Sequence, residues 1–193
     1  MFEEIQKLSK EHNNDFPVLA VVVFNTSHAH IIEALRVQSY VDALDEITGE
    51  QIAVFWAALP EGRVELPSFP PGTNGMMLPV YEEPSSNKSL YSFFDIENGQ
   101  SLPLLVTFSF DDENKLYFSK TRLVEGGAEN AFNRLKEVLE EKANLLRDFS
   151  PELRADKERM FKELRLFDSA NEATGLLSKF IGVAGRHRSA TGI

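Results

Sequence analysis

The chain has no cysteine. Disulfides, thiolate metal sites and thiol–disulfide exchange are therefore excluded, because each needs a sulfur. Long apolar runs are missing too. The longest near the start, Pro17 to Phe24, is far short of the ~20 residues a membrane-spanning helix requires. There is no basic surplus: the net charge is -10. That argues against nucleic acid as a partner, since phosphate contacts need clustered Lys and Arg. A basic leader is also absent. Met1-Phe2-Glu3-Glu4-Ile5 is acidic, whereas a signal peptide opens basic and then runs apolar. The expectation is cytoplasmic residence with no membrane association.

What is present suits one domain of ordinary size plus an extension. The chain has 193 residues, 15 of them Phe, and an apolar share of 42%, enough for a core. The acidity is uneven. Residues 1–96 carry 14 acidic and 5 basic side chains, whereas residues 97–193 carry 16 and 15. The first half presents an acidic surface, a matter of solubility and association rather than of fold.

Phe2, Ile5 and Leu8 recur at helical spacing. Phe16 to Asn25 is β-branched, aromatic and almost continuously apolar, the pattern of a strand covered on both faces. Ile31, Ala34, Leu35, Val41, Leu44 and Ile47 predict one helix, stopped by Thr48-Gly49. Gln51 to Leu59 reads as a second strand. This βαβ order predicts parallel pairing. Residues 60–88 hold six of the nine prolines and no clear periodicity, as functional or disordered stretches do. Within them Met76–Tyr81 is apolar enough for a short edge strand. Ser89 to Ile96 predicts a short helix.

Leu104–Phe110 and Lys115–Val124 flank a turn at Asp111-Asp112-Glu113-Asn114, which predicts an antiparallel hairpin. On the second strand Leu116, Phe118 and Thr121 are assigned to one face, Tyr117 and Ser119 to the other. After Gly126-Gly127 comes a helix marked by Ala128, Ala131, Phe132, Leu135, Val138, Leu139, Leu145 and Leu146. Ser150-Pro151 is a helix start, with Ser as cap and Pro at the first position. Leu176–Val183 forms a second apolar stripe, and 185–193 reads as a disordered tail.

The apolar run Val18–Asn25 before the first long helix, and Leu102-Pro103-Leu104-Leu105-Val106-Thr107-Phe108 later, stand in an order that resembles the thioredoxin-like fold. The resemblance covers roughly residues 2–147. It implies that Pro103 takes the place of the family's cis-proline, facing the N-terminus of the first long helix. The redox motif itself is missing: this chain has Asn25-Thr26-Ser27-His28-Ala29-His30 there. The resemblance thus implies a fold without thiol–disulfide activity.

Thr26, Ser27, His28 and His30 cluster at a helix start, where amide groups and the helix dipole favour an anion. They could hold a small anionic ligand, or Ser27 could act with a histidine as nucleophile and base. The plain alternative is a cap from Thr26 or Ser27 with exposed histidines. No G-x-S-x-G elbow surrounds Ser27. The two histidines lie two apart, where a helical metal pair needs four, so no metal and no cofactor is expected. The acidic turn lacks the EF-hand pattern and reads as a solvated tip. Gly126-Gly127 has no Lys-Ser or Lys-Thr after it and is a turn. Trp56, mid-strand, is expected in the core. Leu153, Met160, Phe161, Leu164 and Phe167 form a narrow stripe among charges. They would dock a partner, or fold back on the chain's own core.

The fold expected is α/β: a thioredoxin-like three-layer sandwich with a mixed sheet over 1–147, a helical extension over 148–184 and the tail. The expected role is a redox-inactive binding or assembly module for a protein partner or a second copy of itself. The alternative is a small-ligand-binding protein or non-redox enzyme using a pocket between residues 26–30 and Pro103. An acidic, chaperone-like dimer is a third reading, suggested by charge and size.

Overall fold

The computed structural model describes residues 18–59, 84–97, 102–124 and 126–171. The apolar run forms β1 (Val18–Val23), and all six of its residues are buried. A strand this apolar needs a neighbour on each side and cover on each face. On one side it pairs in parallel with β2 (Ile52–Trp56). On the other it pairs antiparallel with β3 (Leu104–Phe110), which continues into the hairpin with β4 (Leu116–Arg122). The result is a mixed four-stranded sheet in the order β2-β1-β3-β4. The hairpin tip is held by Asp111, whose carboxylate accepts from the amides of Glu113 and Lys115.

The helices are α1 (Ala29–Arg36), α2 (Gln38–Thr48), α3 (Ser85–Phe93), α4 (Ala128–Asp148), α5 (Pro151–Ala155) and α6 over 157–171. Strand register sorts the side chains into two faces. One carries Leu19, Val21, Val106, Phe108 and Phe118. Phe94, at the end of α3, packs over it, its ring 5.2 Å from Phe108 and 6.0 Å from Phe118. The other face carries Ala20, Val22, Leu105, Thr107, Ser119 and Thr121 and lies under α4 and α6. Helices α1 and α2 pack against α4, and Tyr40 of α2 stacks on Phe132 of α4 at 4.0 Å.

Several expectations change. The single helix predicted over 31–47 is two, because Val37 is extended between α1 and α2. One straight helix over 29–48 would run close to 30 Å, whereas β1 spans about 20 Å, so the break keeps the connection over the sheet. Gly49 ends α2 with a positive φ, where a side chain would be strained. Helix α3 begins at Ser85, four residues early. Its Asn87 clamps the chain after β2 by accepting from the Ala58 amide and donating to the Ala58 carbonyl. Thr121 lies on the Ser119 face, as strict alternation requires. Trp56 is not in the core: it is 37% exposed, at the end of a strand that has no neighbour on its outer side among the described residues.

The helix from Pro151 starts as expected, with the Ser150 hydroxyl accepting from the Leu153 amide. It breaks at Asp156, whose carboxylate accepts from the Arg159 amide and restarts the chain as α6. Met160, Phe161 and Leu164 of α6 join the same buried cluster as the sheet. The helix predicted near residues 2–8, the Met76–Tyr81 strand, most of 60–88, the Leu176–Val183 stripe and the tail lie outside the described residues. No helix of the described residues is long and apolar enough to cross a membrane.

Candidate functional site

Strands β1 and β2 run in parallel, so they end at the same rim of the sheet. The register aligns Trp56 with Val22, and Leu104 with both Val23 and Arg122. Trp56, the Phe24–Asn25 turn, Pro103 and Val124 therefore cross one rim, spanning three strand spacings or roughly 14 Å. Pro103 follows a cis peptide bond. It is buried, and its carbonyl accepts from the Leu123 amide at 2.9 Å. The pairing sets it beside Phe24, next to the loop that opens α1.

That loop is closed on itself. The Asn25 side-chain oxygen accepts from the Ser27 amide at 3.0 Å and the Ser27 hydroxyl at 2.5 Å. His28, not Thr26 or Ser27, is the N-cap of α1, and no side chain caps the helix. The His28 ring is buried, with Nδ1 accepting from the Asn25 amide at 3.2 Å. Ser27 and His30 are exposed and Thr26 is half-buried. Ser27 thus bonds to Asn25 rather than to a histidine, and the serine–histidine pair is not assembled. Among the described residues no group of three or more His, Asp or Glu could hold a metal ion.

The five stripe residues are spread differently. Met160, Phe161 and Leu164 are buried in the chain's own core, while Leu153 and Phe167 are half-buried. Of the two arrangements the stripe allowed, the structure has the fold-back.

A second polar cluster went unnoticed in the sequence. Lys142 of α4 is 0% exposed and grips Asp168 of α6, with Nζ 2.7 Å from Oδ1 and 2.8 Å from Oδ2. From β4 the Thr121 hydroxyl donates to Oδ1 at 2.9 Å, and the Ser119 hydroxyl donates to Oδ2. Asp168 is 5% exposed, and these four contacts use up the acceptor sites of its carboxylate. Burial pushes the Lys142 pKa down, against the opposing pull of Asp168. Thr107, directly across from Ser119, keeps a buried hydroxyl oxygen with no hydrogen bond. Outside this knot, between β4 and α6, lies a recess of about 370 Å³ lined by Phe118, Ser119, Lys120, Arg165, Asp168 and Ser169.

The signal for the knot was present. Leu135, Val138, Leu139, Lys142 and Leu146 share one helical stripe, and so do Met160, Phe161, Leu164 and Asp168. One position in each apolar stripe is charged, with opposite signs. No family model matches this chain, and no curated protein or solved structure was found similar to it.

Proposed function

We propose that the chain is a redox-inactive, thioredoxin-like binding module whose docking edge is the rim from Trp56 to Val124 and whose partner is a protein. The strand order β2-β1-β3-β4, with β3 opposed to β1 and helices on both faces, supports the thioredoxin-like reading. The observation that carries the function is the pair of apolar side chains left in solvent at this rim. Trp56 is 37% and Val124 53% exposed. They bracket the edge where parallel strands end, which is where open α/β sheets take their ligands. Exposed aromatics are also over-represented in protein interfaces. The small-ligand reading draws less support, because Asn25, Ser27 and His28 spend hydrogen bonds on one another. Without a thiol, such a module binds without exchange.

The test is capture from lysate by three immobilised proteins: the natural chain, the Trp56→Ala/Val124→Ser variant, and Leu166→Ser on α6. Leu166 is another exposed apolar residue, away from the rim. A protein retained by the natural chain and the Leu166 variant, and lost by the rim variant, supports the proposal. Equal capture by all three removes it.

A further inference from the structure

Strand β4 is bonded on one side only. At its two ends the Leu123 amide donates to the Pro103 carbonyl and the Asp111 amide to the Lys115 carbonyl. Bonded pairs of an antiparallel ladder alternate, so Thr121 bonds with Leu105, Ser119 with Thr107 and Tyr117 with Ser109. The residues between them, Leu116, Phe118, Lys120 and Arg122, turn both N–H and C=O away from β3. No further strand lies beside them among the described residues.

The side chains of Phe118 and Lys120 lie on the sheet face opposite α6. The Phe118 ring packs near Phe94, and Lys120 Nζ donates to the carbonyls of Phe94 and Asp95. What these two residues give the recess beside α6 is therefore main chain. That recess, about 370 Å³ and bounded on its other side by Arg165 and Ser169, leaves this stretch of the edge uncovered. An uncovered edge, with donors and acceptors in alternation, is a template for one more strand.

Charge decides which strand fits. From Leu116 to Arg122, β4 carries Lys120 and Arg122 and no carboxylate. A second copy laid edge to edge would bring these cations together, which like charges resist. On the α6 wall, Arg165 donates only through Nε, to the Phe161 carbonyl, so among the described residues its two terminal NH2 groups are unspent. Lys162, three residues earlier, is exposed on the same side of the helix. Asp168, the one carboxylate in the wall, is matched by Lys142 and bound by two hydroxyls.

We propose that the open edge of β4 takes an extended, acidic segment of a partner protein as an added strand, its main chain paired to Phe118 and Lys120 and a carboxylate held by Arg165. The added main chain uses the outward carbonyls as well as the outward amides, and the guanidinium selects the charge. The site shares no residue with the rim, so the two docking proposals stand or fall separately.

The experiment follows amide hydrogen exchange of the full chain, alone and with a synthetic heptapeptide of alternating Glu and Val. In the free chain the amides of Phe118 and Lys120 should exchange faster than those of Ser119 and Thr121, which donate to β3. Millimolar peptide should slow exchange at Phe118 and Lys120, and a heptapeptide of alternating Lys and Val should not. Arg165→Gln should weaken binding of the acidic peptide about tenfold. Arg159→Gln, about a third of the way round the same helix, should leave it unchanged. Exchange at Phe118 and Lys120 that stays fast with the acidic peptide, equal slowing by the Lys peptide, or equal losses in the two Arg variants overturns the proposal. Protection of the two amides without peptide, rising with protein concentration, assigns the edge to a second copy and overturns it as well.

Discussion

Lys142 and Asp168 each occupy a position where their helix otherwise buries carbon. Removing two charges from water costs several kcal/mol per ion, and the pair recovers this only through close geometry and extra hydrogen bonds. Both conditions are met, since Ser119 and Thr121 bind the oxygens as Lys142 does. Breaking the pair from one side is another matter. Lys142→Met should cost about 3–5 kcal/mol, because Asp168 stays buried and uncompensated. The Lys142→Met/Asp168→Leu double variant should recover much of that loss. Urea unfolding of the two single variants and the double checks both statements. Simple additivity of the single losses would show that the charges are not coupled. The pair was legible only as an oddity in two stripes. Nothing in either helix alone says that residues 142 and 168 meet, because their meeting depends on how α6 turns back.

At the scale of the element, α6 carries the clearest lesson. Its narrow stripe in a charged helix fits a docking surface or an internal one equally well, because periodicity records that a face is buried and not by what. Phe161 decides it: its ring stacks at 6.4 Å on Tyr117 of β4. Met160, Phe161 and Leu164 each contribute roughly 1.5–3 kcal/mol by leaving water. Together they rival the 5–15 kcal/mol that holds a typical domain folded. A chain cut after Phe149 should therefore lose its dispersed amide spectrum and its cooperative unfolding. If the cut chain unfolds cooperatively at the natural midpoint, α6 is a passenger on the core. The strands were more legible. The six apolar residues of β1 called for a central strand, and the acidic turn called for a hairpin. The α1–α2 break at Val37 was hidden because both halves keep helical spacing. The exposure of Trp56 was hidden because a strand's pattern does not reveal on which sides it has neighbours.

For the whole molecule, the sheet's order has a consequence in time. Its central strand comes first among the four, β2 soon follows, and β3 reaches Leu19 through Phe108, about ninety residues later. At ~5–20 residues per second of synthesis, that edge of β1 waits on the order of ten seconds for its neighbour. The seal over β4 waits longer, until Asp168 has emerged. A growing chain thus carries an unpaired, valine-rich edge through nearly half of its own production, and sheet edges of that kind invite the wrong strand. Ribosome-bound chains of increasing length, probed by brief proteolysis, should stay cleavable past residue 124 and become resistant only once residue 171 has cleared the exit tunnel. Resistance gained when the hairpin alone is complete would mean that the sheet closes without its last helix. On this account, birth is when the fold is most exposed to error, and the residues that end the risk are among the last of the described ones to be made.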